Sequence, residues 1–117
     1  MNIRFPLATL VIAVMLPSAV AAQVVTDGKS LRQRCATVQW TSPSAGLACR
    51  GYIGAVADIL TDGNKVYGQR ACPPPGAKRE ALVKAVRDWL GRHPDLLQQK
   101  ASVVTAQALA EMYPCEN

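Results

Sequence analysis

Four cysteines, Cys35, Cys49, Cys72 and Cys115, lie downstream of an N-terminus built like a secretory signal, and this combination constrains the fold most. Arg4 provides a short positive start, residues 7–16 form an apolar run, and Ala19-Val20-Ala21-Ala22 supplies the small residues that signal peptidase reads. Residues 1–22 are therefore expected to be a signal peptide and residues 23–117 a single exported domain. The apolar run is too short to span a bilayer, and no later stretch approaches the length needed. No cysteine follows the run closely enough to carry a lipid. An even cysteine count in an oxidising compartment implies disulfides.

Removal of the signal leaves about 95 residues, enough for one small domain with a modest core. Cross-links therefore matter, each contributing about 2–4 kcal/mol to a total of about 5–15 kcal/mol. The net charge is +5, with Lys and Arg spread along the chain instead of gathered in a block. Together with export, that pattern argues against nucleic acid as a partner.

Apolar spacing predicts four helices and no sheet. Thr26-Asp27 can cap a first helix that turns Leu31, Cys35 and Val38 inward. Residues 41–46 have loop chemistry. Cys49 then opens a second helix, with Tyr52, Ile53, Val56, Ile59 and Leu60 on one face. Gly51 and Gly54 within it suggest a close neighbour, since each costs about 0.5–1 kcal/mol relative to alanine. Thr61 to Asn64 ends that helix, and Lys65 to Ala71 has no period beyond a short extended piece at Val66-Tyr67. Cys72-Pro73-Pro74-Pro75-Gly76 is stiff and extended.

A third helix buries Leu82, Val86, Trp89 and Leu90 and turns Lys78, Arg79, Lys84, Arg87 and Asp88 outward. Gly91 is placed to end it. Pro94 and Asp95 start a long fourth helix with Leu97, Ala101, Val104, Ala108 and Met112 inward, which Pro114 closes. The fold class is thus a small all-α bundle of about four helices stapled by two disulfides. Four cysteines allow three connectivities, and sequence alone does not choose among them. Cys49–Cys72 with Cys35–Cys115 is favoured, tying one end of a helix pair and pinning the chain ends. The set Cys35–Cys49 with Cys72–Cys115 is sterically open too.

Chemistry finds little support. His93 is the single histidine, no G-x-S-x-G occurs, and no C-x-x-C or zinc spacing is present. No catalytic residue, metal site or cofactor is expected. A hydrolase built on His93 ranks last, and His93 reads as a capping residue beside Pro94. Asp58 and Asp62 read as a solvated helix end, and Trp89 and Tyr52 as core. Trp40 has no apolar stripe to join, so it is read either as an anchor for a partner or as packing over the first helix.

In order along the chain stand Cys35, Cys49-Arg50-Gly51-Tyr52-Ile53-Gly54, Cys72-Pro73-Pro74, Trp89-Leu90-Gly91-Arg92-His93-Pro94 and Pro114-Cys115. This series resembles the Rap/Tai family of periplasmic immunity proteins of Gram-negative bacteria. The resemblance implies a helical periplasmic protein that binds and blocks a peptidoglycan amidase delivered by a type VI secretion system. Its motif residues, Gly51, Tyr52, Ile53, Gly54, Pro73, His93, Pro94 and Pro114 with the cysteines, describe the scaffold and not the contact surface. Recognition is expected on the turn Asp62 to Arg70, the basic face of the third helix, or the turn Gly91 to Asp95. Lys65, Arg70, Lys78, Arg79 and Arg92 are the candidate contacts. The expected partner is a secreted cell-wall amidase, and a homodimer is compatible with the sequence. A fainter similarity to small periplasmic acid-stress chaperones supplies the alternative, a binding protein for unfolded clients.

Overall fold

A computed structural model describes residues 24–36 and 43–116. The signal segment, Val38 and Trp40 lie outside the described residues. Among the described residues, four α-helices, α1 (Gly28–Ala36), α2 (Pro43–Thr61), α3 (Arg79–Arg92) and α4 (Ala101–Met112), each touch the other three. One 3-10 turn, Pro94–Leu96, follows α3. Leu31, Ile53, Val86, Leu90, Val104 and Leu109 are fully buried at the centre. A leucine removed from water in this way contributes about 1.5–3 kcal/mol. Among the described residues, no helix is long and apolar enough to cross a membrane.

Helix α1 starts on a reciprocal cap. Asp27 Oδ1 accepts from the Ser30 backbone N–H at 2.7 Å, and Ser30 Oγ accepts from the Asp27 N–H at 3.1 Å. The bond from the Ser30 backbone, and then its hydroxyl, hold the Asp27 carboxyl below its ordinary value of 3.8. The stability this carboxylate contributes is present above the unfolded value and is lost as pH falls through the lower folded one. Asp27→Asn is therefore expected to flatten the acid limb of a stability-against-pH curve, with little effect at neutral pH. Denaturant midpoints measured downward from about pH 5 check this.

Gly28 and Lys29, in the first turn of α1, donate to the carbonyls of Gln99 and Leu97, both at 2.9 Å, and Ala101 donates back to Thr26 at 3.1 Å. This pairing of two distant segments moves the start of the fourth helix. It was expected near Asp95, but Leu97 and Gln99 use their carbonyls on α1, so α4 begins at Ala101. Such close approach needs a glycine, because a Cβ on Gly28 would lie 3.0 Å from Leu97 Cα and 3.1 Å from its carbonyl oxygen. At Gly51, inside α2, a Cβ would meet nothing within 4 Å. Opposite outcomes follow. Gly28→Ala is expected to destabilise by about 1 kcal/mol through overpacking. Gly51→Ala is expected to stabilise by about 0.5–1 kcal/mol, since a helix interior favours alanine. Thermal melts of the two variants decide both signs.

The close neighbour expected over the α2 glycines exists at Gly54 and not at Gly51. The Arg79 guanidinium lies where a Gly54 Cβ would stand. It donates to the Arg50 carbonyl at 3.4 Å and reaches Asp58 at 4.0 Å, while Arg50 meets Glu80 at 3.6 Å. Ile59 and Met112, expected inward, are about half exposed. Gly91 lies inside the last turn of α3, and His93 is its C-cap.

The favoured disulfide pairing is overturned. The bridges are Cys35–Cys49 and Cys72–Cys115, with Cα atoms 5.0 and 4.9 Å apart. Helix α2 begins at Pro43, which suits a first helical position, so Cys49 sits well inside the helix and reaches the last turn of α1. Cys72 is held at the chain's end, where its N–H donates to the Tyr113 carbonyl at 2.8 Å.

Candidate partner-binding face

Thr61 ends α2 with its hydroxyl on the Ala57 carbonyl at 2.7 Å, and Gly63, at φ +85°, turns the chain away. Val66 and Gln69 then exchange both backbone hydrogen bonds, at 3.1 and 3.0 Å, around the pair Tyr67-Gly68. Both loop residues have positive φ, 48° and 76°, as the tight type I′ turn requires. Asparagine or glycine suits the first of these positions. A tyrosine there is held in a region that costs a bulky residue about 1–3 kcal/mol. Tyr67 is 59% exposed at the tip, with the Lys100 ammonium 5.8 Å from its ring centroid. A strained, solvent-facing aromatic buries no core, which makes Tyr67 a candidate contact for a partner.

Below this turn, Trp89 of α3 is almost wholly buried and donates its indole N–H to a Glu111 carboxylate oxygen on α4. His93 stacks on the indole with centroids 3.9 Å apart and planes at 19°. Its Nδ1 lies 2.7 Å from the Trp89 carbonyl. A carbonyl only accepts, so His93 carries a proton on Nδ1. Trp89, His93 and Glu111, with Gln69, Leu96, Gln107 and Ala110, line an open cleft of about 450 Å³. Gln69 and His93 thus bring two of the three expected recognition segments, the turn Asp62 to Arg70 and the turn Gly91 to Asp95, to one place.

The basic candidates scatter around it. Lys65 precedes the tyrosine turn and is exposed, and Arg92 is exposed in the last turn of α3. Lys78 stands at the N-cap position of α3 without a side-chain cap, while Arg79 is engaged with α2. Arg70 lines a second, smaller cleft of about 210 Å³ beside Cys72 and Cys115. Of the motif residues, Ile53 and Pro73 are buried, Tyr52 is half-buried, Pro94 opens the 3-10 turn, and Pro114 follows α4.

Sequence reasoning did not find Glu111, Gln107 or Lys100, which carry no local pattern. Tyr67-Gly68 had one available signal, a glycine at the second position of a two-residue turn. Among the described residues, no three of His, Cys, Asp and Glu gather as a metal ion would require, and all four cysteines are bridged.

The family model of the Rap1a immunity proteins matches residues 27–115, a span that holds all four cysteines and the whole described bundle. No curated protein and no solved structure matches the chain.

Proposed function

Because this chain belongs to the Rap1a immunity protein family, we propose that it is exported to the periplasm and there blocks a peptidoglycan amidase delivered by a type VI secretion system. Membership makes it an immunity protein, which acts on a secreted effector by binding it. The family match over residues 27–115 carries this reading. Two disulfides in a domain this small suit an oxidising compartment and agree with residues 1–22 as an export signal.

Occlusion needs no chemistry from the inhibitor. It needs a surface already shaped before the partner arrives, so that little conformational freedom is lost on binding. The tyrosine turn meets that condition, since its backbone is closed by two hydrogen bonds and the bundle beneath it is cross-linked. We place the inhibitory contact on this face, with Tyr67 as its anchor and the cleft beside it.

Protection of living cells tests the proposal. Cells carrying a periplasm-directed type VI amidase effector are expected to lyse alone and to survive when this chain is co-expressed with its own residues 1–22. Survival that persists when those residues are deleted contradicts the compartment. Lysis regardless of the chain contradicts the target.

A further inference from the structure

We propose that the cleft between Trp89, His93, Gln107 and Glu111 seats a cationic side chain, an arginine, carried by the protein that this chain neutralises. The proposal deepens the inhibitory reading above and rests on it. Glu111 is the one acidic side chain lining the cleft, and it makes no ion pair among the described residues, in a chain of net charge +5. The Trp89 indole holds one of its carboxylate oxygens and so fixes its orientation, leaving the other oxygen for a partner.

Gln107 lines the same cleft, and its Oε1 is buried without a hydrogen-bond donor. Buried acceptors are nearly always satisfied, and leaving one bare is unfavourable. An incoming N–H is the donor that this amide oxygen lacks. His93, stacked on the indole, adds a flat ring to the wall. Donors matched to a carboxylate and an amide oxygen beside a planar ring describe a guanidinium, which is flat, always charged and rich in N–H groups. An apolar occupant would leave Gln107 bare and strip water from Glu111, and an anion would be repelled.

Titration of the isotope-labelled, periplasm-purified protein with N-acetyl-arginine methylamide, followed by NMR, tests this. Saturable shifts are expected at the Trp89 indole N–H and the Gln107 amide, in the millimolar range that one charge-assisted contact supports. The uncharged citrulline analogue is expected to bind at least about tenfold more weakly. Glu111→Gln, which can still accept from the indole, should bring the arginine probe down to the citrulline level. Gln107→Leu should weaken binding yet raise the melting temperature by about 4 °C or more, because the bare acceptor is gone.

Absence of saturation, equal response to citrulline, or a lower melting temperature for Gln107→Leu overturns the seat. So does full protection from an amidase by a Glu111→Gln, Gln107→Leu double variant, an outcome that leaves the inhibitory role standing. Binding of the arginine probe by a chain that protects against no amidase supports the seat and overturns the role.

Discussion

Replacing Cys72 and Cys115 by serine is expected to lower the unfolding free energy by about 4 kcal/mol, against about 3 kcal/mol for the Cys35, Cys49 pair. The difference comes from the loops the two bridges close, with sequence separations of 43 and 14. A longer loop removes more freedom from the unfolded chain. Cys72–Cys115 also fastens the segment after α4 to the segment before α3, where one backbone bond, Cys72 N–H to the Tyr113 carbonyl, already joins them. Against a total of about 5–15 kcal/mol, that loss leaves a marginal domain. Urea unfolding of the oxidised protein and both double-serine variants measures the two losses. Peptide mapping of the intact protein should recover Cys35 with Cys49 and Cys72 with Cys115. Recovery of Cys49 with Cys72, or a greater loss from the shorter loop, contradicts the arrangement.

The second large effect falls on binding and leaves the fold intact. Tyr67→Asn is expected to weaken effector binding at least about 30-fold, the loss of about 2 kcal/mol typical of a central aromatic anchor. The same substitution should not lower stability. It creates Asn-Gly, the pair that a type I′ turn prefers, and relieves a tyrosine held at φ 48°. Loss of the Lys100 contact, about 0.5–1 kcal/mol at an exposed site, offsets part of that gain. Binding down with stability level or up is the signature of a residue kept for a partner. Calorimetric titration with the effector and a thermal melt of the same preparation read the two quantities. Unchanged affinity removes Tyr67 from the interface, and a clear drop in melting temperature makes it structural.

Most of the helical core was legible because burial in a helix repeats on one face. Leu31 with Cys35, Cys49 with Ile53, and Leu82 with Val86 and Trp89 all follow that spacing, and all are buried. The pairing of the cysteines was not legible, because it depends on a helix boundary. Pro43-Ser44-Ala45-Gly46 has loop composition, yet it forms the first turn of α2 and carries Cys49 to α1. The start of α4 was hidden for a related reason. Leu97 fits a helical stripe, but it and Gln99 spend their carbonyls on the start of α1, a partner about 70 residues away that no local period reveals. The candidate face shows the same division. The two turns that build it were marked by their Gly, Pro and Asp residues, whereas the cleft between them joins Gln69, Trp89, His93 and Glu111 from three separate stretches. Spacing finds what one element does alone, and packing decides what several make together.

The acid-stress alternative has its own observable. Asp27 and Asp88 are held below the ordinary carboxylate value by Ser30 and by the Lys84 ammonium respectively, so both charges survive into mildly acid solution. Loosening is therefore expected only well below neutral pH, and suppression of client aggregation at about pH 5 would argue for the chaperone reading.

Hydrolysis of purified peptidoglycan by a type VI amidase effector, titrated with the purified, disulfide-bonded protein, is the most direct test of inhibition. Activity is expected to fall in proportion to added protein until the enzyme is fully occupied, and Tyr67→Asn should shift that titration to much higher concentration. Amidase activity that stays constant at saturating protein would contradict the inhibitory function.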